Sequence, residues 1–397
     1  MAEHLQVDLC IIGAGPGGLS VAAGAQQIGA SCVLIERGLM GGDCLNYGCV
    51  PSKALLAAGH AAEAIRHAPN FGVNAGQPVI NSEQVYGHVR DTIAAIAPND
   101  SVERFESFGV KVVRAEGSFS GPGEVIAGDT IIRARRFVIA TGSSAFVPPI
   151  EGLDSVPYMT NETIFEGPEL AEHLIVIGGG PIGIEMAQAH RHLGCKVTVL
   201  EMFFIMPKDD QDLVAVVRRR LDQDGIVIKE GVNVLALEKT TDGVSVRIKI
   251  DGVEETIEGS HLLIAAGRRP NVGSLDLEQA GVKYSPRGIE VNARLRTSNK
   301  KIFAIGDVAG GYQFSHVAGY QAGIVIRNAL FRLPAKSDMT AVPWVTYTAP
   351  ELSQVGLTEN EARKKYSDIK ILSGNFKEND RAQAEHQTDG LIKVVTT

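Results

Sequence analysis

A glycine-rich pattern occurs twice in this chain, and the duplication limits the possible folds more than any other feature. Val7-Asp8-Leu9-Cys10-Ile11-Ile12 is an apolar run of strand length. Gly13-Ala14-Gly15-Pro16-Gly17-Gly18 follows, then a helical stretch from Leu19 to about Ile28, then Cys32-Val33-Leu34-Ile35 ending in Glu36. The order returns later as Leu174-Ile175-Val176-Ile177, Gly178-Gly179-Gly180-Pro181-Ile182-Gly183, a helix to about Leu193, and Lys196 to Leu200 ending in Glu201. In both copies the acid stands 23 residues after the first glycine. Gly13 and Gly178 make the tight turn, Gly15 and Gly180 let the backbone approach a pyrophosphate, and Gly18 and Gly183 let the helix pack on its strand. The N-terminus of each following helix holds the phosphates, with Pro16 and Ile182 in the turns that lead into it.

The pattern predicts an α/β fold with two Rossmann-like dinucleotide-binding units, hence two dinucleotides per chain. Glu36 and Glu201 accept hydrogen bonds from ribose hydroxyls. A carboxylate at Glu201 repels a 2′-phosphate, and Met202-Phe203-Phe204 brings no arginine, so NAD(H) is preferred over NADP(H).

The second feature is Gly41-Gly42-Asp43-Cys44-Leu45-Asn46-Tyr47-Gly48-Cys49-Val50-Pro51-Ser52-Lys53, a cysteine pair five residues apart just beyond the first nucleotide unit. Five residues of regular helix rise about 7.5 Å. Bridged Cα atoms usually lie within roughly 7 Å. A closed pair therefore needs Cys44 in a loop or on a distorted turn, with Gly48 easing the backbone, and the regular helix runs from near Pro51 toward Arg66. A thiol at such a helix start feels a positive backbone field that lowers its pKa. Two structural cysteines or half of a metal site are the alternatives on local grounds; metal pairs use shorter spacings and a second pair, and the sequence has none.

Composition closes several other routes. A net charge of -8 argues against general nucleic-acid binding, and Arg218-Arg219-Arg220 reads as a solvated helix face. No apolar run reaches membrane-spanning length, the N-terminus carries no signal-peptide pattern, and the five cysteines suit a reducing, cytoplasmic setting. Cys10, Cys32 and Cys195 fall in or beside strands and read as core residues; His60 and His67 read as surface residues.

Between the repeats lie helical segments interrupted by Pro69, Pro78 and Pro98, then short strands from Val110 to Thr130, and a strand running into Ala140-Thr141-Gly142. After the second repeat come a meander turning at Asp251-Gly252, a strand into Ala266-Gly267-Arg268, and Ile302 to Asp307, a strand with an acid at its tip. Asp307 faces the cofactor crevice or caps the following helix. The character changes from about Pro343, and a strand begins again at Leu391.

Taken together, these motifs closely resemble the flavin-dependent pyridine nucleotide-disulfide oxidoreductases, nearest the dihydrolipoamide dehydrogenase and mercuric reductase branch. Gly41 to Lys53 matches that family's GGxCxNxGCxPSK signature, and Thr141-Gly142, Gly183-Ile184-Glu185, Gly267-Arg268-Arg269-Pro270-Asn271 and Gly306-Asp307 match as well. The resemblance implies FAD at the first repeat and NAD(H) at the second. It implies a discontinuous FAD domain (residues 1–147 and 272–335), an NAD(P)H domain (148–271) and the start of an α+β dimerisation domain (336–397). Cys49 is then the flavin-side thiol and Cys44 the exchange thiol. Lys53 lies beside the flavin and pairs with Glu185 near the nicotinamide. Asp307 and Gly306 hold the ribityl chain; Gly42, Gly117, Thr141, Gly142, Ser143, Gln313, Phe314, Ser315, His316 and Ala318 line the flavin site, with Gly267 and Arg268 near the nucleotides.

The implied reaction passes electrons between NAD(H), FAD, the Cys44–Cys49 disulfide and a small disulfide or dithiol, with Hg²⁺ reduction or redox sensing as alternatives. No resident metal, nucleic acid or membrane is implied. Full-length members of the family are homodimers. Two departures stand out. Asp43 occupies a position where the family carries Thr or Ser. The family's C-terminal His-Pro…Glu acid–base pair finds no match here, since the last histidine, His386, precedes Gln387, as expected of a chain that is C-terminally truncated relative to the family.

Overall fold

In the computed structural model, residues 3–167 and 169–397 are described. They divide into two compact units, each assembled from three chain segments. The first comprises Met1–Pro51, Asp91–Ser144 and Arg268–Met339; the second comprises Ser52–Arg90, Ala145–Gly267 and Thr340–Thr397.

The first unit is built on a seven-stranded sheet. Four of its strands run parallel in the order Lys111–Val113, Cys32–Ile35, Glu3–Ile12, Thr130–Ile139. Ile302–Ala304 also pairs in parallel with Thr130–Ile139, and the hairpin strands Glu124–Ala127 and Gly117–Gly121 extend the sheet antiparallel. Successive residues of these strands point to opposite faces, yet both faces are apolar. Leu9, Ile11 and Leu34 pack on one side with Phe303 and the helices, while Cys10, Ile12 and Val33 pack on the other with Phe119 and Phe137. A sheet covered on both faces explains why the strand sequences are continuous hydrophobic runs rather than alternating ones. The helix Pro16–Gln27 packs on Ser315–Ala329; a Cβ at Gly24 would lie 2.4 Å from Ile326 Cδ1, so the two helices meet through a glycine.

The second unit holds a four-stranded parallel sheet in the order Val227–Lys229, Lys196–Leu200, His173–Ile177, His261–Ile264. An antiparallel meander of Asn233–Lys239, Val244–Ile250 and Val253–Gly259 shares its core, through Val244, Val246, Ile248 and Ile175. The hairpin turn falls on Asp251 and Gly252, both at positive φ, as the Asp-Gly dipeptide predicts. The C-terminal segment of this unit adds two ribbons, Pro343–Thr346 with Leu352–Val355 and Lys370–Asn375 with Leu391–Thr396. Lys393 fastens the last strand: its side chain is only 7% exposed and its ammonium reaches Asp210, Asp212 and Glu359 at 2.6–3.0 Å. Among the described residues no helix is long and apolar enough to cross a membrane.

Candidate functional site

Both glycine-rich turns adopt the geometry their sequences require. Gly13 has φ +104° and Gly178 φ +116°, conformations that L side chains rarely adopt. Space excludes a side chain as well: a Cβ would lie 2.4 Å from Ala140 O at Gly13 and 2.3 Å from Ala265 O at Gly178. At Gly18 and Gly183 a Cβ would strike the carbonyl oxygen of the first glycine, at 1.8 and 2.1 Å. At Gly15 and Gly180 it would meet nothing within 4 Å. The middle glycines face open space at a helix N-terminus, which is the cradle a pyrophosphate fills. Each strand-end acid braces its own turn. Glu36 accepts from the N–H of Ala14 (2.6 Å) and Gly38 (2.7 Å), and Glu201 accepts from Gly179 (2.6 Å) and Phe203 (2.9 Å).

In the first unit the cysteine segment lies against this cradle: a Cβ at Gly42, itself at φ +57°, would sit 2.8 Å from Gly15 Cα. A short helix, Gly42–Asn46, carries Cys44; the backbone breaks at Tyr47 and Gly48, and the long helix Cys49–His67 starts at the second cysteine. The helix thus begins two residues earlier than Pro51, and the break, not a distorted turn, brings the thiols together. Gly48 is needed for proximity rather than for an unusual φ, because a Cβ there would lie 2.9 Å from Asp43 Oδ2. Asn46 secures the break through hydrogen bonds from its Nδ2 to Met40 O (3.0 Å) and Gly42 O (2.8 Å).

Cys44 is half-buried and Cys49 exposed, both as free thiols. Hydrogen bonding with Cys49 and then burial push the Cys44 thiol well above the ordinary range. For Cys44 the neighbouring sulfur and the lost solvation set this direction; the thiol at the start of the long helix is Cys49. Cys49 Sγ is 3.4 Å from Ser315 Oγ, at the start of the helix Ser315–Ala329. Phe314 and His316 stack beside it with centroids 5.3 Å apart. Ala318 backs the turn, 3.2 Å from a Cβ built at Gly306.

Asp307 lies in the turn Gly306–Ala309, whose N-cap is Ile305, and the following helix Ser315–Ala329 has Phe314 at its N-cap, so Asp307 is the capping residue of neither. Its carboxylate accepts from Ser143 Oγ at 2.6 Å, and burial raises its pKa against the opposing effects of Ser143 and Arg268. Arg268 donates to Ser143 Oγ and O, each at 2.7 Å, and to Asp43 Oδ1 at 2.9 Å. Asp43, which stands where the family carries Thr or Ser, thus pairs its carboxylate with a guanidinium. Thr141 and Asn271 lock the adjoining turn by exchanging hydrogen bonds at 2.8 and 3.0 Å, with Gly142 at φ +67°. At Gly117, on the strand Gly117–Gly121, a built Cβ would lie 3.2 Å from Ile35 Cγ2. For Gln313 the structure gives only its place, in the stretch just before that helix.

In the second unit Glu185 is buried, and Lys53 reaches its Oε2 at 2.9 Å. Oε1 accepts from Tyr347 N at 2.9 Å, and the Lys53 ammonium lies 4.3 Å from the centroid of the Tyr347 ring. Tyr347 was not singled out from sequence, since its role comes from a contact 162 residues away from Glu185. Gly267 stands at φ +123°, and Ile182 is partly exposed on the first turn of its helix. Arg218 and Arg220 pair with Glu230, and with Asp224 and Glu63; the arginine run is engaged rather than merely solvated. Glu63, His192 and Asp224 bring ligand atoms within 4.8 Å of one another. Arg66 and Arg220 already engage those carboxylates, so this is an ion-pair network. Cys10, Cys32 and Cys195 are buried, and His60 and His67 lie on the surface of their helix, as expected.

Residues 7–322 match the pyridine nucleotide-disulphide oxidoreductase family, and residues 342–397 match that family's dimerisation domain. The chain belongs to this family. It is 35% identical over 390 residues to a mercuric reductase of Staphylococcus aureus, covering 98% of this chain and 71% of the relative. It is 37% identical over 399 residues to a dihydrolipoyl dehydrogenase of Thermus scotoductus, covering 98% and 84%. Among solved structures, the HOCl-induced flavoprotein disulfide reductase RclA from Escherichia coli, as a Cu(II) complex, superposes with a TM-score of 0.87 at 26% identity, covering 98% of this chain and 86% of the other. The family member is an FAD-dependent NAD(P)H:disulfide oxidoreductase that works through a redox-active dithiol/disulfide centre.

Proposed function

We propose that this protein uses NADH to reduce a small-molecule disulfide through Cys44 and Cys49. The observation that carries the reading is the pair itself: two free thiols in hydrogen-bond contact, on helices separated by a two-residue break, directly against the first nucleotide cradle. FAD fits that cradle by the open space over Gly15 and the braced acid Glu36, and when bound it supplies the two-electron relay between nicotinamide and disulfide.

The chain's own residues have separable tasks. Cys49, beside Ser315 and at the start of a 19-residue helix, is the flavin-side sulfur. Cys44 is the exchange sulfur: as a thiolate it attacks the substrate disulfide, forms a mixed disulfide and releases one substrate thiol. Cys49 thiolate then attacks the Cys44 sulfur, releases the second substrate thiol and restores the Cys44–Cys49 disulfide. Lys53 and Glu185 form a charged pair near the nicotinamide, held in place by Tyr347. Ser143, Arg268 and Asp307 form the polar wall for the ribityl chain. The preference for NADH rests on Glu201, whose carboxylate stands at the strand end with Met202, Phe203 and Phe204 after it and no arginine to take a 2′-phosphate. The segment from residue 342 onward forms the dimer contact.

Anaerobic titration of the yellow protein with NADH tests this. A long-wavelength charge-transfer absorbance after two electrons is expected, and NADH-driven loss of a low-molecular-weight disulfide should stop in Cys44→Ser. Bleaching of the flavin with no such band, and equal disulfide turnover in Cys44→Ser, would overturn the proposal. A soft metal ion is the second acceptor, favoured by the two adjacent sulfurs and by the likeness to mercuric reductases. Hg²⁺-dependent NADH oxidation exceeding disulfide-dependent oxidation would select it.

A further inference from the structure

The residue the family pattern leaves unexplained is Asp43. It adjoins Cys44, yet its carboxylate lies against Gly48, the residue before Cys49: Oδ2 is 2.9 Å from the position of a Gly48 Cβ. Its backbone oxygen accepts from Tyr47 N at 2.8 Å. One residue therefore closes the turn between the cysteines from both its main chain and its side chain. Its other oxygen is held by Arg268, a guanidinium 10% exposed that is itself fixed by Ser143 and lies 3.9 Å from Asp307. The chain of contacts runs Gly48, Asp43, Arg268, Ser143, Asp307, all within the first unit.

We propose that Asp43 is the positioning residue of the dithiol: clamped by Arg268, its carboxylate closes the turn between Cys44 and Cys49 and keeps the exchange sulfur a thiol until substrate arrives. The chemistry follows from charge. Reducing the disulfide takes two electrons and a proton when it yields one thiol and one thiolate. A fixed anion beside the pair disfavours the second thiolate, at Cys44. Arg268 offsets part of that charge, so the two residues set the acidity of Cys44 with opposite signs. The hydrogen bond with Cys49 and then burial account for most of the upward direction found for Cys44, and the charge of Asp43 adds a smaller push the same way. The benefit is selectivity, because a sulfur held as a thiol resists stray alkylation and peroxide oxidation in a reduced enzyme.

The proposal rests on Cys44 being the exchange thiol, and its test does not need turnover. The dithiothreitol-reduced holoprotein is alkylated with iodoacetamide across pH, and Cys44 and Cys49 are followed separately by peptide mass. In Asp43→Asn the midpoint of the Cys44 profile should fall by about one pH unit, as expected for losing a neighbouring like charge. At pH 7 that is about tenfold more thiolate, offset roughly threefold by lower nucleophilicity, for a net gain of about threefold. Asp43→Thr should shift the same way, and Arg268→Gln the opposite way. Flavin absorbance and melting temperature report whether each variant is folded and loaded. Unmoved midpoints in both Asp43 variants, or a change in plateau rate alone, would reduce Asp43 to a packing residue and overturn the proposal. If the wild type fails to turn over disulfides while the midpoints shift as stated, the functional reading fails and this one stands.

Discussion

The two nucleotide units share the close approaches at their glycine turns, alike to within a few tenths of an ångström, and differ in the helix that follows. Pro16–Gln27 buries glycine, alanine, leucine and valine, and it carries no titratable side chain. Pro181–His192 buries Glu185, Gln188, His190 and His192. Each of these is hydrogen-bonded: Glu185 to Lys53 and Tyr347, Gln188 to Asp224 and Ala349, His190 to Met186 O, and His192 to Asp224. The fingerprint thus sets how a pyrophosphate is held, while the opposite face of the helix sets what else the unit does. The first helix is a packing surface against Ser315–Ala329. The second is a polar spine on which a charged pair is mounted.

The sharpest way to break this comparison is to close each turn in its own unit. Gly18→Ala and Gly183→Ala each drive a Cβ to about 2 Å from a carbonyl oxygen, so the helix must move off its strand in both. Gly18→Ala should yield colourless or insoluble protein. Gly183→Ala should remain yellow and lose reduction by NADH by at least about a hundredfold, a barrier increase of about 2.7 kcal/mol. Flavin content and stopped-flow reduction measure the two. Loss of flavin from Gly183→Ala would mean that the two turns do not serve separate nucleotides.

A smaller effect separates the charged pair from the turn that carries it. Glu185→Gln keeps an acceptor for Tyr347 N and removes the charge beside Lys53. Flavin content should hold, reduction by NADH should slow by about tenfold, and stability should fall by about 1.5–3 kcal/mol, the range for a hydrogen bond to a charged group. Lys53→Met should slow reduction similarly, and the double variant should add little, since both remove one interaction. Additive losses in that cycle would show that the two residues act independently.

The polar spine also makes the second unit sensitive to acid in a way the first helix is not. Burial lowers the pKa of His190 to about 4, below its ordinary 6.5. The folded state therefore binds fewer protons than the unfolded state between those values. Stability from this group is complete above pH 6.5 and declines as pH falls toward 4, by about 3 kcal/mol in all. Asp224 does not contribute in that window. Burial opposes its ionisation, but hydrogen bonds from His192 and Gln188 and the charge of Arg220 hold its pKa below the usual value, so its stabilisation is lost only as pH falls below about 4. Trp344, the sole tryptophan, lies in the second unit, and the proposed flavin site lies in the first, so urea unfolding can be followed separately. His190→Gln should flatten the tryptophan-detected loss between pH 6.5 and 4.5. An unchanged slope would mean that another group carries the acid sensitivity.

What was legible from sequence follows the same division. The turns, their acids, the buried strands and the cysteine break are local, and each is written within about 30 consecutive residues. The partners of Asp43, Glu185 and Gln188 lie 225, 162 and 161 residues away, and no local pattern announces them. Asn46 could have been found: an amide two residues after the first cysteine, in a segment that must break its helix, is suited to holding loose carbonyls. Tyr347 could not, because its contribution is a backbone N–H and a ring face.

The smallest expected difference lies in the cores beneath the two units. Cys32 begins one strand and Cys195 immediately precedes its counterpart; they are 2% and 3% exposed, and burial pushes both thiols up to about 11. Neither should behave as a redox group, because at neutral pH the thiolate fraction at such a value is about 10⁻⁴ and the sulfur is shielded. In the reduced native protein a chromogenic disulfide reagent should titrate two thiols before unfolding, the exposed Cys49 first and Cys44, held as a thiol, more slowly, and the other three only after unfolding. Cys32→Ala and Cys195→Ala should each cost about 1 kcal/mol, for one small buried group removed, and should differ from each other by less than about 0.5 kcal/mol. Cys32 has a weak sulfur contact to Ala22 O at 4.0 Å, too long to separate the two measurably. A third thiol titrated before unfolding would move one of these cysteines out of the core, and a strongly unequal cost would show that the two units, alike at their turns, are packed differently beneath them.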